Sequence, residues 1–281
     1  VDSLVTVPVG DLRFDVRVGG PEDGPAVVLL HGFPQSSSSW RPLTRLLHAA
    51  GTRTVAPDQR GYSPGARPAE VADYRLAEVT GDVVGLCAAL GLGPVHLVGH
   101  DWGAIVAWAV AARHPELVRS LIAVSVPHPA VFADAIAHDP LQRETSAYMA
   151  MLEQDETADL LLAEDAAALR LGFGTDVPAD LIERHLEVVS RPGAMTAALN
   201  WYRARHGDWP QVPAVRVPTT FVWGAADVAV TESAARACSD RVTGDYTFEA
   251  LDGIGHWVPE QAPEVLAAHV LRRIGNSVRP D

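Results

Sequence analysis

The stretch Val95-His96-Leu97-Val98-Gly99-His100-Asp101-Trp102-Gly103-Ala104 constrains this chain more than any other. Its apolar start reads as a buried strand. Gly99 to Gly103 then turn sharply, and a helical pattern runs from Ala104 to Ala112. A strand, a tight turn and a helix, with glycines on both sides of one reactive side chain, is the layout that presents a nucleophile at the end of a sheet. The side chain presented is Asp101. A carboxylate is ionised at neutral pH and needs no base to become a nucleophile. It can open a strained or activated C–X bond at carbon and remain as an alkyl ester. Asp is also a favoured helix N-cap, so the stretch alone leaves both roles open.

The rest of the chain supplies the frame. Residues 4–18 alternate around Val9-Gly10-Asp11 and predict an antiparallel hairpin at a sheet edge. Ala26 to Leu30 predicts a buried strand, ended by His31-Gly32-Phe33-Pro34. A Gly and a Pro after a buried strand mark the end of an open α/β sheet where ligands bind, and a tight turn there favours a cis Phe33-Pro34 bond. Helix follows over Trp40 to Ala50, strand over Thr52 to Asp58, helix with Leu76, Val79, Val83, Leu86 and Leu90 on one face, and strand over Leu121 to Val126. Strands alternating with helices imply a mostly parallel sheet covered on both faces. From Val126 to about Pro213 the pattern is helical only, over Leu141 to Gln154, Thr157 to Leu171, Ala179 to Val188 and Gly193 to Arg205. Strands return over Val217 to Gly224 and Tyr246 to Leu251, and a helix over Pro263 to Ile274 closes the chain. The reading is a core of residues 1–126 and 213–281 with a helical cap, 127–212, inserted after the sixth strand.

Three groups then fall at strand ends in the order Asp101, Asp227, His256. Nucleophile, acid and base in that order suit this topology. A histidine held by a carboxylate on one ring nitrogen serves as general base with the other. The alternative acid position, after the strand ending near Val126, holds Ser125, which favours Asp227. Backbone N–H groups of Phe33 and Trp102 are placed to form an oxyanion hole. Phe33, Trp102, Trp201 and Trp257, with Phe132 and His128, are the expected lining of an apolar pocket.

At these residues the chain resembles the α/β-hydrolase-fold epoxide hydrolases, close to the haloalkane dehalogenase branch. The resemblance rests on Gly99-His100-Asp101-Trp102-Gly103, His31-Gly32-Phe33-Pro34, Asp58-Gln59-Arg60-Gly61-Tyr62 and Gly255-His256-Trp257, and covers nearly the whole chain. It implies two ring-opening tyrosines in the cap. Leu199-Asn200-Trp201-Tyr202-Arg203 maps one to Tyr202, and Ser146-Ala147-Tyr148-Met149 maps the other, more loosely, to Tyr148. The chemistry explains such a pair: an epoxide's leaving oxygen stays on the substrate as an alkoxide and needs an acid facing the attacking carboxylate. The resemblance implies hydrolysis of a small apolar epoxide to a vicinal diol through an alkyl-aspartate ester. A haloalkane dehalogenase is the alternative, although many of those carry Asn where this chain has Phe33. An ester hydrolase fits less well, since Asp101 attack on an ester gives a mixed anhydride. A non-catalytic ligand-binding module on the same scaffold is the other alternative.

Composition sets outer bounds. The formal net charge is −13, which argues against nucleic acid or an anionic membrane as partner. All basic residues other than His are Arg, which reads as a GC-rich bacterial genome. Cys87 and Cys238 sit in apolar helical contexts and are expected as buried thiols, in keeping with the cytoplasm. No signal peptide or membrane span is expected. No metal or organic cofactor is implied. A homodimer is compatible with the sequence.

Overall fold

The computed structural model describes residues 2–278. Strands β1 (Ser3–Val9) and β2 (Leu12–Gly19) form the edge hairpin, turning on Gly10 and Asp11. Then come β3 (Ala26–Leu30), α1 (Arg41–Ala49), β4 (Arg53–Pro57), α2 (Leu76–Ala89), β5 (Val95–His100), α3 (Trp102–Arg113) and β6 (Val118–Val124). Six helices separate β6 from the next strand: α4 (Pro129–His138), α5 (Pro140–Thr145), α6 (Tyr148–Leu152), α7 (Thr157–Phe173), α8 (Ala179–Val189) and α9 (Ala194–Arg203). The chain closes with β7 (Thr219–Gly224), α10 (Glu232–Arg236), β8 (Tyr246–Leu251), α11 (Val258–Gln261) and α12 (Pro263–Val278).

The eight strands form one sheet in the order β1-β2-β4-β3-β5-β6-β7-β8. The β1–β2 and β2–β4 pairs are antiparallel; all other pairs are parallel. Parallel strands covered on both faces must be apolar throughout, and β3 and β5 are buried along nearly their whole length. Alternate side chains serve opposite faces. Val27, Leu29, Val98 and Ile122 pack with Leu43 and Leu47 of α1 and Leu266 and Val270 of α12. Val28, Leu30, Leu97 and Leu121 pack with Val79 and Val83 of α2 and Ile105 and Trp108 of α3. After β3 the chain goes to one side for β4 and returns to the other side for β5. That reversal opens a crevice beyond the C-terminal ends of β3 and β5. The loops beginning at His31 and Asp101 therefore lie side by side.

The helical region between β6 and β7 departs from the expected segments in three places. Helix α4 lies outside all of them, although Pro129 stands at its first turn, a preorganised position, and His128 Nδ1 caps it by accepting the Ala130 N–H at 3.2 Å. The expected helix over Leu141 to Gln154 is two helices. Buried Gln142 donates to Ser146 Oγ and to Ala229 O, both at 2.9 Å, and accepts from Thr231 N at 2.9 Å. This anchor to the loop after β7 meets Ser146 where the helix stops. Helix α7 leaves helical backbone at Ala163–Ala166, and Glu164, Asp165 and Ala166 take positive φ. Arg170 braces the kink, donating to Asp165 O at 2.9 Å and pairing with Asp165 and Glu183. Both cysteines are buried free thiols. The Phe33-Pro34 bond is cis. Among the described residues no helix is long and apolar enough to cross a membrane.

Candidate active site

Asp101 occupies the turn between β5 and α3 at φ +52 and ψ −121, a conformation costly for a residue with a Cβ. The turn closes that tightly because Gly103 lies against the Leu30 carbonyl, where a Cβ would collide. Gly32 likewise lies against the Asp101 side chain, so only glycine lets the β3 loop approach the carboxylate. That approach lets the Phe33 N–H donate to Asp101 Oδ1 at 2.8 Å. The loop is fixed from behind. His31 Nδ1 donates to Gly32 O at 2.8 Å, leaving Nε2 to accept the Gln59 N–H at 3.1 Å.

The second carboxylate oxygen, Oδ2, is 3.7 Å from His256 Nε2. This is beyond hydrogen-bond range but close enough for the two groups to interact as an ion pair. His256 Nδ1 is 2.9 Å from Asp227 Oδ2, and Asp227 Oδ1 accepts the Ala229 and Val230 N–H groups at 2.7 and 3.3 Å. Asp227 is thus an acceptor on both oxygens, so His256 carries a proton on Nδ1. Ser125, at the alternative acid position, holds the backbone instead, and its hydroxyl donates to the His256 carbonyl at 2.9 Å.

Charge in the site is strongly coupled. Burial works to raise the Asp101 carboxyl, but His256, helped by His100 and the Phe33 N–H, holds it below the usual carboxylate range. Burial works to lower His256, but the negative charges of Asp227 and Asp101 raise it above an ordinary imidazole. The free site therefore holds an imidazolium between two carboxylates.

A cavity of about 280 Å³ opens from Asp101 and His256, lined by Phe33, Tyr148, Leu169, Phe173, Tyr202 and Trp257 among others. On the inner side of Asp101 a second space of about 10 Å³, closed by Phe132, Met149 and Trp209, has room for no more than a water. Tyr148 and Tyr202 border both spaces. Tyr202 is buried, with its ring edge-on to Phe33 and Trp102 at 5.3 and 5.0 Å, while Tyr148 remains 38 % exposed. Burial raises both phenols, aided by Asp101 and Asp227 at Tyr148 and by Tyr148 and Asp101 at Tyr202, so both are protonated at neutral pH.

Comparisons with known proteins place the chain in a family. The model of the α/β hydrolase fold family matches residues 25–263. An AB hydrolase superfamily protein, YfhM, of Bacillus subtilis (strain 168) is 33% identical over 96% of this chain and 97% of its own. Epoxide hydrolase 3 of Xenopus tropicalis is 30% identical, over 90% of this chain and 72% of its own. This chain belongs to the epoxide-hydrolase family of the α/β-hydrolase fold. A solved structure described among novel epoxide hydrolases from metagenomes of hot environments superposes with a TM-score of 0.85 at 29% identity, covering 100% of both chains.

Within this α/β hydrolase the expected residues separate clearly. Asp101, Asp227, His256, Tyr148, Tyr202, Phe33 and Trp257 meet at or behind one cavity, and Phe132 and Trp102 border its inner end. Of the two expected oxyanion donors, the Phe33 N–H reaches the carboxylate; the Trp102 N–H makes no such bond among the described residues. Two expected lining residues are elsewhere. His128 is fully buried, with Nε2 donating to Pro213 O at 2.9 Å and its ring against Trp108; it ties the start of α4 to the chain before β7. Trp201 gives its Nε1–H to Arg60 O at 2.8 Å and packs edge-on behind Trp102, so it supports the wall without lining the cavity. Sequence reasoning missed Leu169 and Phe173 of α7, Met149 and Leu152 of α6, and Trp209. The only signal for those of α6 and α7 was helical periodicity, which does not say what a buried face meets.

Proposed function

We propose that the chain hydrolyses small apolar epoxides to vicinal diols, with Asp101 as nucleophile. The observation that carries the reading is the pair of protonated phenols, Tyr148 and Tyr202, bordering the same cavity as an ionised carboxylate backed by His256–Asp227. Asp101 Oδ2 attacks an epoxide carbon, the C–O bond of the ring breaks, and a tyrosine gives its proton to the departing alkoxide. Oδ1 stays in the grip of the Phe33 amide and becomes the ester carbonyl. The ester is neutral, so His256 loses one of the two negative charges that raise it, releases its Nε2 proton to make good the one the phenolate gave up, and becomes competent as a base. It takes a proton from water, whose oxygen attacks the ester carbon; the Phe33 amide, with that of Trp102, stabilises the oxyanion. Collapse expels the alkyl oxygen, which is protonated from His256 as diol. The regenerated Asp101 carboxyl gives up its proton, which restores the His256 imidazolium.

A haloalkane leaving group departs as halide and gives the phenols no proton to transfer, so the tyrosine pair weighs against dehalogenation. The test is product analysis with aryl and alkyl epoxides beside haloalkanes. Diol from the epoxides, lost in Asp101→Ala, is the expected result. Halide release without diol would overturn the reading.

A further inference from the structure

Behind the cavity lies a run of buried polar side chains that the chemistry above does not use. His100, the last residue of β5, places Nε2 2.8 Å from the His256 carbonyl and Nδ1 2.8 Å from the Gln35 side-chain amide. The other end of that amide is 2.6 Å from Glu260 Oε1 on α11. Among the described residues Glu260 Oε2 and His185 Nε2 are buried with no hydrogen-bond partner, and His185 Nε2 approaches Glu260 Oε1 only to 3.7 Å. His185 Nδ1 accepts the Ser36 N–H at 3.0 Å, so the His185 proton sits on Nε2.

Proton counting restricts this chain of groups. The His256 carbonyl is only an acceptor, so His100 Nε2 must carry a proton. If Glu260 were ionised, it too could only accept. The Gln35 NH₂ would then face Glu260 and the Gln35 oxygen would face His100 Nδ1, which would have to carry a second proton. That arrangement buries a carboxylate and an imidazolium apart from one another, at high cost. Turning the Gln35 amide over removes both charges at unchanged heavy-atom positions. Glu260 then donates an O–H to the Gln35 oxygen, the Gln35 NH₂ donates to His100 Nδ1, and His100 Nε2–H donates to His256.

We propose that Glu260 is a positioning residue for His256, acting as a neutral carboxylic acid at the head of the chain Glu260–Gln35–His100–His256 O. The electrostatics agree: burial pushes Glu260 up to about 8, against the opposing pull of Gln35 and His256, and lowers His100 to about 4. The groups facing Glu260 are Gln35 from the loop after β3, His185 from α8, and, beyond them, His100 and His256; both partners of the relay are neutral amide or imidazole. Ionising Glu260 forces the Gln35 NH₂ back toward it. Neutral His100 must then either point a bare Nδ1 at the Gln35 oxygen or move its proton off Nε2 and release the His256 carbonyl to the Ser125 hydroxyl and the Val258 N–H, both at 2.9 Å. Ester hydrolysis then slows as pH rises through the Glu260 ionisation. This kinetic consequence rests on the role proposed for His256; the protonation of Glu260 does not.

The experiment is a pH titration of the wild-type protein carrying ¹³C-carboxyl glutamate, with Glu260→Gln to assign the signal. One glutamate carboxyl should titrate near 8 and be absent from E260Q. If every glutamate titrates in the ordinary carboxylate range, the proposal is wrong whatever the enzyme's substrate. Stability gives a second reading independent of turnover. A carboxyl held protonated only in the fold contributes stability in full below about 4.5 and loses it as pH rises to about 8. The melting temperature of E260Q should therefore gain on wild type across that interval; parallel curves count against the idea. In kinetics, E260Q carries an amide NH in place of the acid OH. It should stay within about threefold of wild type at neutral pH and lack the alkaline loss. Glu260→Leu should slow hydrolysis of the covalent adduct about tenfold, the worth of one buried hydrogen bond. An alkaline loss that persists in E260Q would sever Glu260 from His256. Should E260Q fail to fold, Gln35→Met breaks the relay one residue later and must shift the same glutamate resonance.

Discussion

Replacing His256 by Ala separates the two halves of the proposed reaction. Asp101 keeps its Phe33 hydrogen bond at 2.8 Å and its place at the cavity floor, so alkylation remains open to it. Hydrolysis loses its general base, a contribution of about 10²–10⁴ in rate, or about 3–5 kcal/mol of barrier. Asp101 is 8 % exposed, so bulk water does not easily make up the loss. If wild-type turnover is of order 10 s⁻¹, the covalent ester in H256A should live for about 10 s to about 1,000 s. Quenching and intact-mass spectrometry should then show nearly stoichiometric protein heavier by one whole epoxide, with no atoms lost. The pH profile adds a second check. Burial raises Asp101, and His256 counters it. Removing His256 takes away the largest opposing contribution and leaves only His100 and the Phe33 N–H against burial, so the acid limb of alkylation must move to higher pH in the variant. Saturating epoxide at mildly alkaline pH that leaves H256A unmodified, while wild type turns over, would refute the ester route and the role of Asp101 with it.

Two further expectations concern the cavity. Tyr202→Phe should slow alkylation about 10- to 150-fold, the range of a hydrogen bond to a developing charge; half-exposed Tyr148 should cost less on replacement, and the double variant should fall furthest while melting like wild type. Single-turnover rates of adduct formation check this, and undiminished ring opening in the double variant would remove the phenols from the mechanism. Terminal epoxides should be turned over at least about tenfold faster than internal ones with bulk on both carbons, because the inner space of about 10 Å³ admits no substituent; equal kcat/KM for the two would show that Phe132, Met149 and Trp209 yield.

The parts of the molecule that are legible without coordinates are those written in local chemistry. The glycines around Asp101 announce a turn that only small neighbours permit, and Gly103 and Gly32 are indeed where a Cβ would collide. Asp227 follows a strand buried along its length and His256 one that mixes apolar with polar residues, and the meeting of the pair at 2.9 Å follows from the adjacency of β7 and β8. Trp201 and His128 are misplaced by sequence reasoning because an aromatic or imidazole near a hinge looks the same whether it faces substrate or a carbonyl. Arg60 O and Pro213 O, the groups that claim them, lie 141 and 85 residues away.

What the sequence by itself determined is the tight turn at Asp101, the order of Asp101, Asp227 and His256 at strand ends, and the alternation that makes a covered parallel sheet. These depend on steric limits and periodicity within a few residues. What only the tertiary structure decided is which side of Asp101 is open, which faces of α6 and α7 line it, and that Ser125 and a relay from Glu260 hold the His256 backbone. Those depend on how distant segments pack and on how every buried donor finds an acceptor, and neither condition leaves a mark on the residues nearby in the chain.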